Sequence, residues 1–126
     1  MTLVDTSSWI HFLRRKGDVA VKRRVSSLLE QGEAVTCPMV LVELWMGAGS
    51  KKDRSDVAKI ESVLQNLETS PAVWQTANCL AALCRKSGTP VPGSDVVIAA
   101  CAHVYGTRLE AVDAHYSTLL SLSNHL

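Results

Sequence analysis

Along this chain, very short β-prone apolar runs alternate with longer stretches in which apolar residues return every three or four positions. Thr2 to Val4 is a β-prone opening that ends at Asp5, and Ser7 to Arg14 then places Trp9, Ile10, Phe12 and Leu13 at helical spacing. Val19 to Gln31 sets Val21, Val25, Leu28 and Leu29 among basic residues, which predicts an amphipathic helix stopped by Gly32. A second strand is predicted over Ala34 to Cys37. Pro38 suits a first helical turn, and Met39 to Ala48 is apolar on nearly every face, so that helix reads as buried. Lys51 to Leu67 predicts a charged surface helix with Val57, Ile60, Val63, Leu64 and Leu67 on one side, and Ala72 to Lys86 another helix. Gly88, Pro90, Pro92 and Gly93 mark a loop. A helix over Asp95 to Val104 follows, stopped by Gly106, then a strand over Arg108 to Val112 and a short helix over Ala114 to Leu120.

Short strands separated by helices predict an α/β layered fold with a mainly parallel central sheet and helices on both faces. At 126 residues, with no internal repeat, residues 1–126 read as a single domain. In such sheets a ligand lies beyond the carboxyl ends of the strands. Four acids fall near that edge: Asp5 and Asp113 after strands, Asp95 at the start of a helix, and Glu43 inside the helix after the second strand. Each sits in a mostly apolar stretch, where a carboxylate is costly to bury unless it is paired or bound to a metal. An aspartate alone reads equally well as a helix cap, but Thr6, Ser7 and Ser94 stand beside Asp5 and Asp95 as alternative caps. Glu43 has no capping role and no basic residue within a helical turn. An all-oxygen set of this kind suits a hard cation such as Mg²⁺ or Mn²⁺.

Composition adds little, but the distribution of charge adds more. The chain carries 13 Lys and Arg against 12 Asp and Glu, a formal charge of +1. Ten of the thirteen basic residues lie in the first half, in spans that include Arg14, Arg15, Lys16, Lys22, Arg23 and Arg24 and then Lys51, Lys52 and Arg54. These spans offer contacts to a phosphate backbone, or simply solvated helix faces. Cys37, Cys79, Cys84 and Cys101 lack metal-ligand or disulfide spacing and read as small core residues, as expected of a soluble protein in a reducing, cytoplasmic compartment. No apolar run is long enough to span a bilayer. The four histidines give no zinc pattern, and His115 reads as a surface residue; Trp9, Trp45 and Trp74 read as core. There is no serine-hydrolase elbow, no phosphate-cradling glycine loop, and no D-x-D after the first strand.

The segments LVDTSSWI (3–10), CPMVLVELWMGA (37–48), PVPGSDVVIAACA (90–102) and AVDAHYSTL (111–119), in that order, resemble the PIN-domain ribonucleases, and at this length the toxins of VapBC-type toxin–antitoxin pairs. The resemblance implies a three-layer PIN-like sandwich and places Asp5, Glu43, Asp95 and Asp113 at a Mg²⁺ or Mn²⁺ site that hydrolyses RNA, with Thr6 or Ser7 lining it. It also implies a small antitoxin whose C-terminal segment wraps the toxin, and a homodimer. Ala111 departs from the family pattern, which often has Thr or Ser there. Arg14, Arg15 and Lys16 are the expected RNA backbone contacts. A catalytically silent binding module, or a nuclease acting on DNA, would share the same fold and acids.

Overall fold

Leu3 and Val4 have no exposed surface because β1 (Thr2–Val4) runs between two parallel neighbours. The computed structural model describes all 126 residues. In it β1 pairs with β2 (Ala34–Thr36) in the register Thr2↔Ala34 and Leu3↔Val35, and with β4 (Arg108–Glu110) in the register Leu3↔Leu109 and Val4↔Glu110. β3 (Gln65–Asn66) adds to the outer edge of β2, giving the order β3-β2-β1-β4, all parallel. The chain steps from β1 to one side and returns to the other, so the sheet has its switch point beside β1, where such sheets open a crevice at the carboxyl edge.

Seven helices flank this sheet: α1 (Thr6–Leu13), α2 (Val19–Glu30), α3 (Pro38–Gly47), α4 (Lys51–Val63), α5 (Pro71–Lys86), α6 (Gly93–Tyr105) and α7 (His115–Ser123). α5, α6 and α7 pack on one another; α1 packs on α2 and α3, and α3 also reaches α4 and α6. α6 is the most deeply buried, with every residue from Asp95 to Ala102 inside. It needs no amphipathic stripe because it is covered on several sides. Two glycines serve turns. Gly106 ends α6 with φ +64°, and a Cβ on Gly17 would sit 1.8 Å from the His11 carbonyl oxygen, so the basic turn after α1 folds tightly back on that helix.

The fold class expected from the pattern is observed, with local corrections. The helix from Lys51 stops at Val63, not Leu67: Leu64 turns extended and Gln65–Asn66 pairs with β2. This edge strand is two exposed residues long, too short to show alternation. β4 ends at Glu110, so Asp113 stands three residues beyond it, and α6 opens at Gly93, two residues before Asp95. α3 is not buried all round; Val42, Trp45 and Met46 lie on the surface. Trp9 is core, but Trp45 and Trp74 are exposed, as is Cys79, while Cys37, Cys84 and Cys101 are buried. Periodicity marks a helix's apolar positions without saying whether another element covers them.

Candidate metal centre

Asp5 is the first residue beyond β1 and caps α1. Its Oδ2 accepts the Ser7 backbone N–H at 3.0 Å and the Ser7 hydroxyl at 2.6 Å. The expected division of labour, with hydroxyls capping and the carboxylate spare, is therefore wrong: Asp5 caps, and Ser7 donates to it. Ser7 Oγ also accepts the Val112 N–H at 3.0 Å, which ties the segment after β4 to the end of β1. Asp5 Oδ1 points elsewhere and takes the Tyr116 hydroxyl at 2.8 Å; the same phenol oxygen lies 3.2 Å from Asp95 Oδ1. Asp5, Asp95 and Tyr116 are all buried.

Asp95 sits in the first turn of α6, which has no side-chain cap at Pro92, and Ser94, the expected cap, makes no capping hydrogen bond. Glu43 is half-buried on α3, and its Oε1 accepts the Thr6 hydroxyl at 2.9 Å. Thr6 is thus the partner that α3 itself could not supply. Asp113 accepts the His115 N–H at 2.9 Å, and His115 Nδ1 lies 2.9 Å from Asp113 Oδ1 and 3.0 Å from Asp95 Oδ2. His115 is therefore part of the cluster and not a bystander on the surface. One ligand atom each from Asp95, Asp113 and His115 lies within 4.8 Å of the other two.

The acids behave as one electrostatic group. Burial raises the Asp95 carboxyl above its ordinary range, the charges of Asp113 and Asp5 raise it further, and hydrogen bonds from His115 and Tyr116 act in the opposite sense. Burial likewise raises Glu43, with Asp5 and Asp95 adding to the shift against the hydrogen bond from Thr6. Burial, then the Asp5 and Asp95 charges, push the Tyr116 phenol far up, so it stays protonated and acts as a donor. Such repulsion is relieved by a cation, and a set of carboxylate oxygens with one imidazole fits a divalent ion.

The sign of the pH response follows from these shifts. Asp95 and Glu43 hold protons more tightly folded than unfolded, so between their ordinary values of 3.8 and 4.5 and the higher folded-state values the folded chain binds more protons. Stability of the metal-free protein then rises as pH falls through that window. Asp53 and Glu33, lowered by the Ser50 capping box and by the terminal ammonium, act with the opposite sign, and their contribution is lost only below the ordinary carboxyl range. In chelator, the thermal midpoint is expected to rise on mild acidification from neutral pH while Mn²⁺ affinity falls, because protons and cations compete for the same oxygens. A midpoint that falls steadily from neutral pH downward would contradict this assignment.

Residues 2–117 match the sequence profile of the PIN domain. The chain belongs to the PIN-domain family. Ribonuclease VapC11 of Mycobacterium tuberculosis is 26% identical over 129 residues, covering 98% of this chain and 95% of that protein, and the VapC ribonuclease Mb1587 of Mycobacterium bovis matches equally. Among solved structures, FitAcB from Neisseria gonorrhoeae superposes with TM-score 0.80 at 17% identity, covering 98% of this chain and 94% of that one. VapBC2 from Rickettsia felis, bound to a promoter DNA fragment, gives 0.78 at 17% identity over 93% and 91%. Mycobacterium tuberculosis VapC20, a toxin that cleaves the Sarcin-Ricin loop, gives 0.71 at 22% identity over 94% of both chains.

In this PIN domain the four acids expected from sequence converge from four separate segments, and Thr6 and Ser7 each donate to one of them. Arg14, Arg15 and Lys16 are exposed on the turn after α1, and Arg14 lines a cleft of about 270 Å³ with Thr6, Ile10, Glu43 and Leu44. The rest of the basic span is partly engaged: Arg24 pairs with Glu110, Lys22 donates to the Phe12 carbonyl and Lys52 pairs with Asp56. Tyr116 went unnoticed in the sequence because a tyrosine on the apolar face of a short helix has the spacing of a core residue. Glu110 was also missed; it holds Ser8 and Arg24 beside the site.

Proposed function

We propose that this PIN domain is a metal-dependent endoribonuclease that hydrolyses RNA phosphodiester bonds, and that it is the toxin of a toxin–antitoxin pair. The observation that carries the reading is the convergence of Asp5, Glu43, Asp95 and Asp113 at the carboxyl edge of the sheet, each supplied with a local hydrogen-bond donor. Asp5, Asp95 and Asp113 would hold Mg²⁺ or Mn²⁺, and Glu43 would join them or orient the attacking water. The chemistry such an ion would supply is activation of a water and neutralisation of charge on the leaving oxygen. Thr6 keeps Glu43 turned toward the other acids, and Ser7 keeps Asp5 on the α1 N-terminus. Arg14, beside Glu43 in the cleft, and Arg15 and Lys16 on the same turn hold the flanking RNA backbone, which positions the strand without reading its sequence.

The ribonuclease names of the mycobacterial relatives support this reading. The VapBC and FitAB assemblies among the structural neighbours support a small cognate antitoxin as partner. The chain has surface suited to that antitoxin and to a second copy of itself: Met46 is 83% and Val63 76% exposed, with Val42 and Trp45 beside Met46 on α3. No helix is long and apolar enough to cross a membrane. As an RNA-cleaving toxin with a small antitoxin, the protein is proposed to act in the cytoplasm.

Matched RNA and DNA oligonucleotides in Mn²⁺ test the substrate class. RNA cleaved with DNA intact is the expected result. Cleavage of DNA alone would overturn the ribonuclease reading. Both strands bound but uncut, whether or not chelator is present, would assign the fold to a silent binding module.

A further inference from the structure

We infer that Tyr116 is the positioning residue that sets how Asp5 and Asp95 face the cation; this rests on the metal-centre reading above. The ring and the hydroxyl of this residue have separate reasons to be where they are. The ring, on the first turn of α7, is 3% exposed and belongs to the hydrophobic core, work that a phenylalanine would do equally well. The hydroxyl is taken out of water and meets only carboxylates, Asp5 Oδ1 at 2.8 Å and Asp95 Oδ1 at 3.2 Å. A buried hydroxyl that packing does not need is costly unless its hydrogen bonds do something.

The lone pairs show what they do. An ionised carboxylate has about four acceptor positions. On Asp5, Oδ2 is taken by the Ser7 N–H and the Ser7 O–H, and Oδ1 accepts one bond from Tyr116. One position remains, on the oxygen that shares the phenol with Asp95. The phenol has a single proton for two acceptors, so Asp5 and Asp95 are drawn toward the same donor and present adjacent oxygens that no other donor claims. Asp95 Oδ2, on the far side, is occupied by His115 Nδ1, which also reaches Asp113. The first turn of α7 thus touches three of the four acids, and Tyr116 is the member that joins the acid after β1 to the acid of α6.

The test is a calorimetric Mn²⁺ titration of wild type, Tyr116→Phe and Asp95→Asn, with RNA cleavage measured over graded Mn²⁺. In Tyr116→Phe, Mn²⁺ affinity is expected to fall about 10-fold or more, in the range seen when partners of metal ligands are removed. The Mn²⁺ concentration for half-maximal cleavage should rise by the same factor, while the rate at saturating Mn²⁺ stays within about twofold of wild type, a split that loss of packing alone would not produce. Wild-type Mn²⁺ affinity in a folded Tyr116→Phe protein would overturn the inference. So would a Tyr116→Phe chain that fails to fold when Asp95→Asn folds, since the hydroxyl would then belong to the fold. Wild-type affinity in Asp95→Asn would instead remove the metal centre itself.

Discussion

Asp95→Asn is expected to abolish RNA cleavage and cost about 100-fold or more in Mn²⁺ affinity, while the metal-free protein melts no lower than wild type. Both halves follow from one feature. Asp95 is buried, and its carboxyl is raised by burial and by the charges of Asp113 and Asp5. Near neutral pH its ionisation works against folding, so a neutral side chain of the same shape relieves repulsion. The cation needs that charge, and the surviving carboxylates cannot replace it from other elements. Cleavage assays and thermal melts in chelator check the two halves separately. An active Asp95→Asn protein would refute the site, whereas an inactive one that no longer folds would refute the electrostatic account of it.

Trp9→Ala is expected to destabilise the chain by about 3–5 kcal/mol, a large share of the roughly 5–15 kcal/mol available to a domain of this kind. Trp9 has no exposed surface, stands edge-on to Phe12 at 5.8 Å, and is the largest fully buried side chain. Its indole N–H has no partner, so Trp9→Phe removes an unpaired buried donor along with some volume and should cost less than the alanine change. Trp9 also lies on the helix that Asp5 caps, so loosening α1 loosens the cap and with it the first acid of the site. Urea unfolding of the two variants checks the order. A loss below about 1 kcal/mol in Trp9→Ala would mean that α1 is not anchored through this residue.

Much of this arrangement was legible in the chain. Helix periods and β-prone runs give six of the seven helices at nearly full length, and the four acids stand out because each is a charge set in an apolar segment. What the sequence did not show was mostly what depends on distant neighbours. β3 exists only because β2 offers an edge to pair with, and nothing in Gln65 and Asn66 announces it. The exposure of Trp45 and Met46 depends on what fails to cover α3, which no local pattern records. His115 and Tyr116 lie two and three residues past Asp113 in a segment that reads as an ordinary short helix; their roles arise from the turn that brings α7 back against Asp5 and Asp95. The capping of α1 by Asp5 does not follow from the local sequence, where hydroxyls stand beside it, because the carboxylate both caps and keeps its other oxygen for the site.

The decisive measurement is digestion of total cellular RNA by the purified, partner-free protein after chelation and again after Mn²⁺ or Mg²⁺ is restored. The expected result is intact RNA in chelator and discrete fragments on restoring the ion. Fragments that persist in chelator, or intact RNA from a folded protein that has demonstrably bound the ion, would contradict the assignment of Asp5, Glu43, Asp95 and Asp113 to a metal-dependent ribonuclease centre.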